Sequence, residues 1–256
     1  MVKTIAIANQ KGGVGKTTTA VNLAGGLAAL GKRVLVIDTD SQANATFALT
    51  THRTTSPSIY HLLTATSTRL ADVIQPAGEP NIDLIPSDQT AMKGIERELS
   101  GVVGEQTLLY NVLLDLPADR YDFVLIDTPP HIGPLMINAI VASERVIIPV
   151  QPGVFSLQGI KDVQELVNLA VKRLGRSNLR VLGILVNFKE YTNVSKDTVN
   201  ILTQTFDGAV FTTQIPKNVS LEEAHSRGGS IFQYAPTSPG AIAFQQLAEE
   251  VISIYG

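Results

Sequence analysis

Residues 11–18 read Lys-Gly-Gly-Val-Gly-Lys-Thr-Thr, and no other stretch restricts the possible folds so tightly. They follow Lys3-Thr4-Ile5-Ala6-Ile7-Ala8-Asn9, a short apolar run with β-branched residues, and precede a small-residue and apolar run over 19–30. Strand, glycine loop and helix, in that order, are the context of a phosphate-binding loop. Gly12, Gly13 and Gly15 can take backbone angles closed to other residues, so the amides of 11–18, Val14 and Thr18 included, can converge on an anion. The helix that starts near Lys16 turns its positive end to the same point. Lys16 then supplies a fixed charge to β- and γ-phosphates, and the Thr17 hydroxyl ligates Mg²⁺. A bare glycine turn would need neither side chain.

Two later strands end in carboxylates. Lys32-Arg-Val-Leu-Val-Ile-Asp38 is a continuous apolar run, as a parallel strand buried on both faces requires, and Asp40 follows two residues on. Arg120-Tyr-Asp-Phe-Val-Leu-Ile-Asp127 repeats the pattern, with Asp127 placed to hold Mg²⁺ through water and Thr-Pro-Pro stiffening the backbone beyond it. Further strands are expected at 81–86, 144–151 and 180–187, and helices at 91–99, 107–116, 155–174, 192–206 and 241–254. Residues 50–80, rich in Thr, Ser and Pro, read as a surface excursion with short helices near 59–64 and 70–74. His52 and His61 lie there without metal-ligand spacing and read as surface or packing residues.

The 256 residues, 44% hydrophobic and 17% charged, suit one domain with a large core. There is no cysteine, which rules out disulfides, Cys-ligated zinc and Cys-ligated iron–sulfur clusters and suits a reducing cytoplasm. The net charge of −3 means that any nucleic-acid surface must be local.

The substitution of Lys11 for the usual first glycine of the loop makes Lys-Gly-Gly-Val-Gly-Lys-Thr similar to the deviant Walker A box of the ParA/MinD ATPases, of the SIMIBI class. The resemblance extends to Asp38-Thr-Asp40-Ser-Gln-Ala-Asn44, with Ser41 in place of a proline, to Asp127-Thr-Pro-Pro130, and to Ile215-Pro216-Lys-Asn218-Val-Ser-Leu-Glu-Glu-Ala224. It implies one doubly wound α/β domain over 1–256, with a mostly parallel central sheet flanked by helices and no N-terminal operator-binding domain. It implies that Lys11 reaches the partner's phosphates in an ATP-sandwiched homodimer. Asp40 then activates the attacking water, Asp38 supports Mg²⁺ and its water shell, and Asn187, Pro216 and Asn218 hold the adenine.

The likeness runs closest to the short partition ATPases. Those imply ATP and Mg²⁺ as cofactors, a homodimer that binds DNA without sequence preference, a ParB-like partner that stimulates hydrolysis, and a cytoplasmic, nucleoid-associated protein. Related proteins carry DNA-contacting arginines where this chain has Tyr191 and Ser220. Lys189, Lys196, Lys217 and Arg227 could rebuild a phosphate-contacting patch or be ordinary surface charges. Lys172, Arg173 and Arg176, at the end of the 155–174 helix, either complement its dipole or touch DNA. The alternative is a MinD-like positioning switch that docks a protein or membrane partner without DNA. Glu249 and Glu250, in a closing helix without a basic face, count against a stable membrane anchor. No substrate residues for a biosynthetic amidoligase are visible.

Overall fold

The computed structural model describes residues 2–65, 67–153, 156–190 and 192–255. Seven strands pair into one sheet: β1 (Lys3–Ile7), β2 (Val34–Asp38), β3 (Gln75–Pro76), β4 (Ile82–Ile85), β5 (Phe123–Asp127), β6 (Arg145–Val150) and β7 (Arg180–Val186). Their order is β3-β4-β2-β5-β1-β6-β7, and all neighbours are parallel except β3 against β4. Parallel neighbours need crossovers, and helices supply them: α1 (Lys16–Ala29), α5 (Ile95–Leu99), α6 (Leu108–Leu113), α7 (Pro134–Ala142) and α8 (Ser156–Leu174). The start expected for α8 at Phe155 lies outside the described residues.

Both faces of the sheet are covered. β2 and β5 are buried at every position, which is why they read as unbroken apolar runs. On β1 the side chains alternate between two cores. Ile5 and Ile7 join Leu23 and Leu27 of α1 and Phe244 of α12 (Pro239–Tyr255), whereas Ala6 and Ala8 join the cluster under α7 and α8. Ile5, Ile7, Leu23, Leu27 and Phe244 are all 0% exposed, and burying a side chain of this size contributes about 1.5–3 kcal/mol.

Residues 50–80 are less superficial than expected. α3 (Ile59–Thr64) and α4 (Leu70–Val73) are where the sequence puts them, but Ile59, Leu62, Leu63, Leu70 and Val73 are buried in the core beside the sheet. Helices of four to six residues carry too few apolar positions to show a period, so composition hid their buried face. His61 packs there as the far half of a capping box, its Nδ1 accepting the Ser58 amide at 3.2 Å. Elements that were not expected include the edge strand β3, the helices Val219–Arg227 and Ile231–Tyr234 of the C-terminal third, and α2 (Asn44–Thr50), which continues directly from the Asp40 loop.

The remaining helices, α9 (Asn193–Thr205), α10 (Val219–Arg227) and α11 (Ile231–Tyr234), lie in the C-terminal third, and α11 is tied to α1 by the Ile231 amide on Asn22 Oδ1, 2.7 Å. α1 crosses α12 so closely that a Cβ on Gly26 would lie 2.9 Å from the Phe244 carbonyl oxygen. Gly26→Ala should therefore lower stability in urea unfolding by about 1–3 kcal/mol, because overpacking against backbone outweighs the ~1 kcal/mol of helix propensity gained.

Candidate phosphate-binding and hydrolysis site

β1 lies between β5 and β6, and the register decides what meets the loop that leaves it. Ile7 pairs with Asp127, and Asp127 with Asp38, so the two carboxylates end neighbouring strands beside residues 9–16. Side chains stitch these ends together. Thr128 Oγ1 donates to the Ile7 carbonyl at 2.8 Å, and Thr39 gives its amide (3.1 Å) and hydroxyl (2.6 Å) to the Asp127 carbonyl.

The loop has the backbone its glycines allow. Gly13 and Gly15 take φ of 76° and 84°, while Gly12 needs no such angle and faces Pro130. A Cβ on Gly15 would also lie 2.7 Å from Asn187 Nδ2 and 2.8 Å from the Phe188 ring. Asn9 holds the other side, its Oδ1 accepting the Lys11 amide (3.0 Å) and its Nδ2 donating to the Pro149 carbonyl (2.9 Å). The two lysines part company here. Lys16 is 7% exposed and donates Nζ to the Lys11 carbonyl at 3.1 Å, with burial lowering its pKa against the pull of Asp127 and Asp40. Lys11 is exposed.

Thr17 and Asp127, read separately as Mg²⁺ residues, come together: Thr17 Oγ1 donates to Asp127 Oδ2 at 2.7 Å. Asp127 Oδ1 is buried and has no partner, and burial followed by the charge of Asp38 raises the Asp127 pKa well above the ordinary value. A hydroxyl beside an unmatched carboxylate oxygen is a hard-oxygen donor set that fits Mg²⁺. Among the described residues no three His, Asp or Glu side chains form a metal cage.

Asp38 is more constrained than its expected metal role suggests. Its Oδ2 accepts both the amide (2.7 Å) and the hydroxyl (2.8 Å) of Thr46, and its Oδ1 accepts the Asp40 amide at 3.0 Å. Its first task in this chain is to fix the 40–46 loop. Thr46 Oγ1 in turn accepts the Ser87 amide at 2.8 Å, and Ser87 Oγ donates to the Asp40 carbonyl at 2.7 Å. Asp40, 6% exposed, accepts the Gln42 amide at 2.9 Å. Burial raises its pKa, and the Gln42 bond, Lys16 and His131 oppose that.

Asn187 is 0% exposed, and its amide group donates to the Val14 carbonyl (3.0 Å) and Thr19 Oγ1 (2.9 Å). The donors serve the loop and the first turn of α1, which leaves Oδ1, buried without a partner among the described residues. Asn218 caps α10 through Oδ1 to the Ser220 amide, 2.8 Å, and Pro216 lies in a one-residue bridge with Lys189. Of the basic residues, Lys189 and Lys217 are joined by the backbone, the Lys217 amide on the Lys189 carbonyl at 3.1 Å. Lys217 is ion-paired with Glu190 at 2.6 Å. Arg227 stacks over Tyr234 (5.0 Å) at the far end of α10, roughly 13 Å along the helix, and Lys196 is exposed on α9. Of the four, Lys217 is thus engaged by a carboxylate and Arg227 by a ring. Tyr191 lies outside the described residues. Arg176 stacks on Tyr110 at 4.0 Å.

Sequence reading missed Asn9, Thr46, Phe188, Glu96 and His131. Their signal is purely spatial, since none belongs to a spaced motif. A surface cavity of about 510 Å³, lined by α2, β3 and Gly228–Gly229, lies away from this site.

The strand ends and loop define a P-loop nucleoside-triphosphate site. The family described as AAA domain matches residues 2–181. The chromosome-partitioning ATPase Soj of Thermus thermophilus is 43% identical over 254 residues, 98% of this chain and 96% of that protein. The sporulation initiation inhibitor protein Soj of Bacillus subtilis is 38% identical over 252 residues, 98% of each. Cobyrinic acid a,c-diamide synthase of Mycobacterium smegmatis, solved with an ATP analogue and magnesium, has a TM-score of 0.84 at 27% identity, covering 100% of this chain and 96% of that one. MinD of Pyrococcus horikoshii with Mg-ADP has a TM-score of 0.77 at 25% identity, covering 100% and 98%. The chain belongs to the ParA/MinD family of P-loop ATPases, on its Soj and ParA side.

The buried carboxylates make stability depend on pH. Burial lifts Asp38 from 3.8 to about 6, so the folded chain keeps a proton that the unfolded chain has already lost between those values. Stability from this source is present below about pH 4, is lost as pH rises towards 6, and is level above that; Asp127 acts in the same direction. Urea midpoints without nucleotide or Mg²⁺ should therefore fall more between pH 4.5 and pH 7 for the wild type than for Asp127→Asn.

Proposed function

We propose that the chain is a dimerising switch ATPase that positions a plasmid, a chromosome or a protein cargo. The observation that carries this reading is the opposite placement of the two loop lysines. Lys16 is buried within the loop, while Lys11, backbone-fixed by Asn9 and by Lys16 Nζ, is exposed where a second copy could receive it.

ATP and Mg²⁺ are the cofactors, as the nucleotide and magnesium in similar solved structures support. Mg²⁺, held by Thr17 and Asp127 with Asp38 behind them, would neutralise charge on the β- and γ-phosphate oxygens. The loop amides and Lys16 bind and orient the triphosphate. Asp40, fixed by Asp38 and Ser87, accepts a hydrogen bond from the attacking water and aims it in line with the γ-phosphate. Because the transfer requires little covalent help from protein, positioning and charge stabilisation are its main contribution. The free Oδ1 of Asn187 is the acceptor we assign to the adenine amino group, with Pro216 and Asn218 near the base.

In this reading the ATP-bound dimer binds DNA without sequence preference through Lys189, Lys196, Lys217 and Arg227, and a ParB-like partner stimulates hydrolysis and release. It works in the cytoplasm, on the nucleoid when ATP-bound, and has no stable membrane anchor; among the described residues no helix is long and apolar enough to cross a membrane. The Lys217–Glu190 pair and the stacked Arg227 favour a second reading, a MinD-like switch whose dimer docks a protein partner instead.

Binding to a random-sequence duplex with ATP, ADP or no nucleotide separates the two. The partition reading expects binding only with ATP, weakening with salt at a log–log slope of about −0.9 per phosphate contacted. No binding in any state, with ATP-dependent dimers intact, would leave the protein-docking switch. Lys11→Ala should abolish ATP-dependent dimerisation in light scattering while one-to-one ATP binding survives; undiminished dimers would remove its role across the interface.

A further inference from the structure

The chain leaving β5 runs Thr128-Pro-Pro-His131-Ile-Gly133 past the phosphate loop, and a side chain from α5 meets it there. Glu96 Oε2 lies 2.6 Å from His131 Nε2. The other oxygen, Oε1, is buried and has no partner. Gly133, which caps α7, leaves the space the carboxylate needs, since a Cβ there would lie 2.5 Å from Oε1 and 3.0 Å from Oε2. The positive end of α7 favours a carboxylate at this spot, while Pro134 in its first turn has no N–H to donate. α5 itself is held by Ile95 and Leu99, both 1% exposed.

The pair is near enough to Asp40 to act on its carboxyl, His131 drawing its pKa down and Glu96 pushing it up. It does little for the fold: the side chains are 53% and 29% exposed, and even a fully charged pair at such exposure contributes roughly 0–1 kcal/mol. Its consequence is where it puts residues 128–133. Pro130 is near Gly12, its Cβ 3.9 Å from where a Cβ on Gly12 would stand, so the same segment borders the phosphate loop on one side and meets Glu96 on the other.

We propose that Glu96 is a positioning residue for hydrolysis. By holding His131 it sets the 128–133 segment at the distance from Asp40 and Gly12 that the attacking water requires. This rests on the reading of Asp40 as the residue that orients that water.

The test is a kinetic cycle at varied ATP with Glu96→Ala, His131→Ala, the double variant and Glu96→Gln, together with the affinity for a non-hydrolysable ATP analogue. Each single alanine variant should lower kcat roughly tenfold, as a misplaced reacting group does, with KM and analogue affinity within about twofold. The double variant should be no slower than either single one, because both break one contact. Glu96→Gln, which still accepts the His131 N–H, should keep most of the wild-type kcat, and the melting temperatures should stay close together. Full kcat in Glu96→Ala, a multiplicative double variant, or Glu96→Gln as slow as Glu96→Ala would overturn the proposal. Asp40→Ala separates the two readings. Undiminished hydrolysis there removes the role of Asp40 on which this depends, whereas loss there with full activity in Glu96→Ala removes only that of Glu96.

Discussion

Two carboxylates that water cannot reach, Asp38 and Asp127, end adjacent strands in register, and both are 0% exposed. Isolated charges in that position are costly, and the surrounding chain is arranged around that cost. Thr46 and the Asp40 amide occupy Asp38, and Thr17 occupies one oxygen of Asp127. Among the described residues the remaining oxygen of Asp127 has no donor, which leaves an acceptor for a cation to match. The 40–46 loop, the start of α1 and the end of β5 thus all depend on the same buried negative charge.

Sheet order makes that concentration possible. With β1 between β5 and β6, the loop emerges where strands on either side diverge in chain order, which is where open α/β sheets leave a crevice at their carboxyl ends. The loop beside it brings glycines and backbone amides to this point, with Gly13 and Gly15 at positive φ. A phosphate group needs converging N–H groups and a local positive field, both of which a shallow concavity can supply.

The segments carrying charge next to that crevice are held by unequal means. The Asp40 loop is braced by buried bonds to Asp38, Thr46 and Ser87, whereas residues 128–133 are held by the Thr128 hydroxyl and a partly exposed pair with Glu96. A buried network of satisfied bonds resists movement, and an exposed pair yields at small cost. The fold therefore puts its rigid side at Asp40 and its more adjustable side at the turn into α7.

The sequence by itself determined the parts written in contiguous residues: the glycine loop with Lys11, Lys16 and Thr17, the apolar strands ending in Asp38 and Asp127, and the long amphipathic helices. Each rests on local physics, a backbone angle open to glycine, two-sided strand burial or a helical period, that a short window displays. Only the tertiary structure decided that Thr17 bonds Asp127, that the donors of Asn187 serve the loop and the start of α1, that Lys217 is taken by Glu190, and that Glu96 meets His131 across 35 residues. It also revealed α2 and β3, and buried the apolar faces of α3 and α4. Those facts depend on which strand ends and helix starts lie side by side, and strand order and register, not spacing along the chain, set that.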